Sequence, residues 1–222
     1  MKAGANMGRI IAIANQKGGV GKTTTSVNLS ACLAYLGKKV VLIDIDPQGN
    51  TSSGLGVKKG ELESCIYDVL INDEDIKEVI QKTAVDNLYI VPATISLAGA
   101  EIELVSTISR EVRLKKSVQE IKNNFDFIII DCPPSLGLLT INALTAADAL
   151  IIPVQCEYYA LEGLSQLLST VRLVQKHLNK TLVIDGVLLT MHDARTNLGV
   201  QVIDEVKRYL QDRVYRSSMP RN

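Results

Sequence analysis

Eleven consecutive residues, Asn15-Gln16-Lys17-Gly18-Gly19-Val20-Gly21-Lys22-Thr23-Thr24-Thr25, combine three glycines, two lysines and three hydroxyl side chains. An apolar run precedes them and a segment of helical spacing follows, so the order is strand, glycine loop, helix. Glycines let successive backbone N–H groups turn inward around a polyphosphate, and the N-terminus of the following helix adds its positive end. In this arrangement Gly18, Gly19, Val20, Gly21 and Thr24 are expected to line the phosphates. Lys22 reaches the outer ones, and the Thr23 hydroxyl can ligate magnesium. The loop departs from the common spacing in one respect: Gln16 stands where a first glycine is usual, and Lys17 supplies a second lysine at the start of the loop.

Two further stretches carry carboxylates at the ends of apolar runs. Asp44 and Asp46, in Leu42-Ile43-Asp44-Ile45-Asp46-Pro47-Gln48-Gly49-Asn50, alternate as residues on one face of a strand do. Ligands in open α/β sheets sit beyond the carboxyl ends of the strands, and this strand is expected to neighbour the first one. Asp131 closes Phe127-Ile128-Ile129-Ile130, which suits a carboxylate that holds magnesium through water. The Cys132-Pro133-Pro134-Ser135 segment that follows is stiffened by its prolines, so a change at the phosphates could pass to the next helix as a discrete movement. Cys132 itself reads as a packed thiol.

Positioning these groups requires a sheet. Short apolar runs bounded by turn signals occur at Arg9–Asn15, Lys39–Ile45, Leu88–Val91, Phe127–Ile130, Ala149–Val154, Leu182–Leu189 and Val214–Met219, each read as a buried strand. Between them, Lys22–Leu36, Ile76–Lys82, Val112–Asn123, Leu138–Ala147, Leu161–Leu178 and Val200–Asp212 have helical spacing. Strands alternating with helices, and continuous apolar character within the strands, predict an α/β fold: an open, doubly wound, mostly parallel sheet with helices on both faces. Residues 1–8 read as a flexible leader, because Met7 stands just before the first strand, and residues 9–222 as a single domain.

Composition narrows the function classes. The 222 residues hold 24 Lys plus Arg against 24 Asp plus Glu, so nucleic-acid binding would need a local patch instead of a global field. The four cysteines, Cys32, Cys65, Cys132 and Cys156, form no CxxC pair and have no histidine beside them, and are read as reduced and mostly buried. His177 and His192 are assigned surface or packing roles. No run approaches the roughly 18 apolar residues of a membrane span, and no secretion signal is visible, so the expected compartment is the cytoplasm.

The string KGGVGKTT is the signature of the deviant Walker A class of P-loop NTPases, and DIDPQGN, PATISLAGAEIEL, IIIDCPPSLGLLTINAL, PVQCEYYALEGLSQLL and LLTMHDARTNLG extend the match along the chain. The sequence resembles the ParA/Soj chromosome-partitioning ATPases, nearest to the chromosomal Soj-type subgroup. That resemblance implies ATP and ADP as nucleotides with Mg2+, weak hydrolysis, and an ATP-bound homodimer in which Lys17 crosses to the partner's phosphates. It assigns Asp46 to positioning the attacking water and Asp44 to supporting magnesium or to a hydrogen bond. It implies nonspecific binding to double-stranded DNA at the nucleoid through basic residues, of which Arg195 matches one. Hydrolysis would be stimulated by a ParB-like centromere-binding protein, with the replication initiator as a further partner, a link to sporulation regulation, and no membrane. Pro220 and Asn222 match a segment that flanks the base, and the family pattern continues past them into a loop and helix, so the C-terminal segment reads as shortened. Two rival readings share the loop: a small-molecule kinase or ligase like dethiobiotin synthetase, and a MinD-like membrane-cycling regulator, which an amphipathic C-terminal tail would mark.

Overall fold

The computed structural model describes residues 8–155, 160–192 and 213–220. β1 (Arg9–Ile13) feeds the glycine loop and α1 (Lys22–Tyr35), and β2 (Val40–Asp44) ends on the first of the paired carboxylates. Short helices α2 (Asn50–Gly54), α3 (Ile66–Ile71) and α4 (Ile76–Val79) lead to β3 (Gln81–Lys82) and β4 (Leu88–Val91). Helices α5 (Leu97–Glu103) and α6 (Arg113–Ile121) then precede β5 (Phe127–Asp131). The remainder runs through α7 (Leu138–Ala146), β6 (Ala149–Gln155), α8 (Ala160–His177), β7 (Val183–His192) and β8 (Val214–Pro220).

All of these strands lie in one sheet of order β3-β4-β2-β5-β1-β6-β7-β8, parallel except for β3, which runs antiparallel to β4. Successive side chains of the central strands feed two separate cores. Ile10 and Ala12 of β1, Val41 and Ile43 of β2, and Ile128 and Ile130 of β5 face one core. Ile11 and Ile13, Val40 and Leu42, and Ile129 face the other, where Ala34 of α1 packs. A strand buried on both faces needs no polar alternation, which is why these runs are continuously apolar. The doubly wound architecture expected from the sequence is therefore present.

Several expectations need correction. β2 does not neighbour β1, because β5 lies between them and pairs with both: Ile13 and Asp44 each stand opposite Asp131. The helix expected over Ile76–Lys82 stops at Val79; Ile80 turns extended, and Gln81 and Lys82 pair with the edge of β4. β8 was expected to be buried, yet Arg216, Ser217 and Ser218 are exposed at the end of the strand order. Cys32 is exposed on α1, whereas Cys65 and Cys132 are buried. The expected helix Val200–Asp212, the leader Met1–Met7, Cys156 and the side chain of His192 lie outside the described residues. Among the described residues, no helix is long and apolar enough to cross a membrane.

Candidate active site at the glycine loop

The loop between β1 and α1 is fastened at both ends to other strands of the sheet. Asn15 donates its amide to the Pro153 carbonyl of β6 at 2.7 Å and accepts the Lys17 N–H at 3.0 Å. On the far side, buried Thr190 of β7 donates its hydroxyl to the Val20 carbonyl at 2.8 Å. Between these anchors Gly19 and Gly21 take left-handed backbone angles, φ 71° and 84°, which a side chain would strain. Gly21 then caps α1, whose first N–H groups face the loop. Val20 is buried, which leaves its backbone and not its side chain to face the loop's interior.

Lys22 is buried, and its ammonium donates to the Lys17 carbonyl at 2.9 Å, across the loop it would close over phosphates. Burial lowers its pKa, opposed by attraction to Asp131. Lys17 is half-buried at the rim, and Thr24 is exposed at the start of α1 with its carbonyl accepting from Asn28. The loop faces the proline segment after β5: a Cβ at Gly18 would stand 3.9 Å from Pro134.

Asp131 is the hub of the site. It is 1% exposed, and three hydroxyls donate to it: Thr23 at 2.9 Å and Thr51 at 2.5 Å to Oδ2, and Ser26 at 2.8 Å to Oδ1. Burial pushes its carboxyl above the usual carboxylate range, while these donors pull it back. Because the Thr23 hydrogen is directed at Asp131, the Thr23 oxygen keeps its lone pairs for a cation. A hydroxyl oxygen with a carboxylate behind it suits magnesium, which prefers oxygen ligands and keeps several waters and phosphate oxygens in its shell.

The paired carboxylates of the second strand divide their tasks. Asp44 is fully buried and accepts from the Ser52 N–H at 2.8 Å, the Ser52 hydroxyl at 2.7 Å and the Asp46 N–H at 3.1 Å. Of its two expected roles, magnesium support and hydrogen bonding, the second is the one these contacts fill. Burial, the largest influence, raises its pKa to about 6. Asp46 lies beyond the strand, 8% exposed, with Oδ1 accepting the Gln48 N–H at 2.9 Å. The turn that carries it passes through Gly49, at φ 59°, where a Cβ would meet the Ala93 carbonyl at 2.7 Å.

Cys132 is buried directly after Asp131, and burial pushes its thiol above the ordinary range, as suits a packed thiol. Farther along this segment, a side chain at Gly137 would collide with the Glu101 carboxylate of α5, so the loop after β5 packs on that helix. Pro220 ends β8 one residue after Met219, whose sulfur lies 3.5 Å from the Thr25 hydroxyl of α1; that places this strand end beside the loop. Arg195 and Asn222 lie outside the described residues.

Four contributors were not anticipated from sequence: Ser26, Thr51, Thr190 and Asn15. Thr51 directly follows the Asp46 turn and Ser26 lies one turn into α1, but a hydroxyl in a helix carries no mark of the carboxylate it will meet.

Comparison with known proteins follows the same lines. A family model described as an AAA domain matches residues 8–184. The chain is 71% identical over 216 residues to the sporulation initiation inhibitor protein Soj of Bacillus subtilis (strain 168), covering 97% of this chain and 85% of that protein. It is 51% identical to the chromosome-partitioning ATPase Soj of Treponema pallidum (strain Nichols), covering 97% and 84%. Among solved structures, cobyrinic acid a,c-diamide synthase from Mycobacterium smegmatis, with bound ADP and magnesium, superposes with a TM-score of 0.92 at 40% identity, covering 97% of this chain and 88% of that one.

Proposed function

The chain belongs to the ParA/Soj family of chromosome-partitioning ATPases, and from that footing we propose that it works as a dimerising switch on DNA. The observation that carries the reading is the convergence on Asp131 of hydroxyls from the first turns of α1 (Thr23 and Ser26) and from the segment beyond Asp46 (Thr51). Such a joint lets one carboxylate register the phosphates and the switch turn together.

In this reading the N–H groups from Gly18 to Gly21 and Thr24 cradle the phosphates of ATP, and Lys22 moves from the Lys17 carbonyl to the terminal phosphate. Thr23 and Asp131 hold magnesium, which when bound neutralises phosphate charge. Asp46 accepts a hydrogen bond from the attacking water and so aims its oxygen at the γ-phosphorus, while Asp44 keeps the turn in shape through Ser52. Lys17 reaches the nucleotide of a second copy, where a cation offsets charge developing on the transferring phosphoryl group and makes dimerisation depend on ATP. Pro220 and Asn222 flank the base.

The ATP dimer adheres to nucleoid DNA in the cytoplasm through basic residues including Arg195. Since the chain has no net charge, this binding rests on a patch assembled by the dimer and falls steeply with salt. A ParB-like partner accelerates hydrolysis, and the ADP form lets go; the replication initiator is a second partner of the same switch.

Light scattering and DNA binding with ATP, ADP or no nucleotide, at two salt concentrations, test the reading. A dimer that forms with ATP, binds DNA only at low salt and is lost in Lys17→Ala is the expected result. Dimerisation unchanged in Lys17→Ala removes the reach across the interface. Turnover that waits on a small acceptor molecule would place the chain with ligases instead.

A further inference from the structure

Asp131 grips the segment that carries Asp46 at both of its ends. The Asp131 carbonyl accepts the Ile45 N–H at 3.1 Å, and its side chain accepts the Thr51 hydroxyl at 2.5 Å, so Asp46 lies on a turn closed by one residue of β5. Of the three hydroxyls on this carboxylate, Thr23 and Ser26 belong to the continuous glycine loop and α1, whereas Thr51 comes from the far side of the turn. Thr51 is fully buried and shares a single oxygen, Asp131 Oδ2, with Thr23. Its neighbour Ser52 fixes the other strand: the Ser52 hydroxyl donates to Asp44 and accepts the Ala93 N–H at 2.9 Å. The turn is thus held toward β2 and the segment after β4, and among the described residues its side-chain link to the Asp131 carboxylate is the Thr51 hydroxyl.

We propose that Thr51 is a positioning residue that couples the magnesium site at Thr23 and Asp131 to the turn that carries Asp46. Positive charge at Thr23 draws on the oxygen to which Thr51 donates, and a change in that hydrogen bond moves the end of the turn. Switching then needs no contact between the cation and the turn itself. The proposal rests on the reading of Thr23 and Asp131 as the magnesium pair, and its test keeps the two apart.

The measurement is ADP affinity by calorimetry, with magnesium and with EDTA, on the whole chain and on Thr51→Val and Thr51→Ser. In the unmutated chain magnesium strengthens ADP binding; an affinity indifferent to magnesium overturns the pair and the coupling with it. In Thr51→Val the ratio of the two affinities falls about tenfold, the scale of one hydrogen bond to a charged group, and Thr51→Ser restores it. A ratio that Thr51→Val leaves intact, or that Thr51→Ser fails to restore, overturns the coupling and leaves the magnesium pair standing. Hydrogen exchange on the unmutated ADP complex supplies a reading independent of whether the valine variant folds. Magnesium slows exchange of the amides from residue 45 to residue 52 if Thr51 transmits its presence, and unchanged exchange there counts against it.

Discussion

Thr190→Val removes one hydroxyl and nearly preserves side-chain shape, so it isolates the fastening between β7 and the glycine loop. Thr190 is 1% exposed and donates to the Val20 carbonyl at 2.8 Å, so valine leaves a buried carbonyl without its donor. Such a loss costs about 1–3 kcal/mol. For a domain of this length each kcal/mol moves the melting temperature by about 2–4 °C, and the middle of the range gives a fall of about 4–8 °C. The damage is not expected to be confined to stability, because the freed carbonyl adjoins Gly21, whose left-handed angle shapes the loop proposed to cradle the phosphates. ADP affinity is expected to weaken about tenfold, equivalent to about 1.4 kcal/mol. Differential scanning calorimetry and titration with ADP read the two effects on one preparation, and Thr190→Ser should recover both. A valine variant that melts with the wild type and binds ADP equally well would refute the argument that the loop is held in place from β7.

Asp44 gives a pH signature. Its folded pKa is raised to about 6 from 3.8, so the folded chain binds the extra proton and loses stability as pH rises through that window. At about 1.36 kcal/mol per unit, Asp44→Asn should gain roughly 2 kcal/mol on the wild type between pH 4 and pH 7 in urea unfolding; a constant difference would show that folding leaves the Asp44 pKa unshifted. Asp46→Ala should give an ATP dimer that persists while phosphate release stops, read by light scattering beside a phosphate assay. Ordinary turnover in that variant would remove Asp46 from the water.

The glycine loop was legible because its chemistry is local: Gly19, Gly21, Lys22 and Thr23 fall within five consecutive residues, and the flanking strand and helix fix their direction. Asp131 was equally plain, as the polar end of an apolar run. The partners of Asp131 were not, since Thr51 and Ser26 lie 80 and 105 residues away in sequence and only the folded sheet brings them together. Strand order was hidden for a related reason. The apolar runs of β1, β2 and β5 are interchangeable as runs, and nothing in their periodicity says that β5 enters between the other two. The short helices α2, α3 and α5 hold too few turns for a period to show. Asp44 and Asp46 look alike on the page, and what separates them is Ser52, whose hydroxyl and N–H both turn toward Asp44.

The insertion of β5 between β1 and β2 also bears on how the molecule is made. Ribosomes deliver the glycine loop and both carboxylates of the second strand early, yet those strands occupy positions two apart in the finished sheet, about 10 Å from each other. Until Asp131 has been synthesised the gap between them has no strand to fill it, and Thr23 and Thr51 have no common acceptor. A nascent chain can therefore own every residue of the phosphate loop and still be unable to join Thr23 and Thr51 through one carboxylate. That joint waits for β5 to enter the middle of the sheet, and the loop's outer anchors, the Pro153 carbonyl and the Thr190 hydroxyl, follow later still.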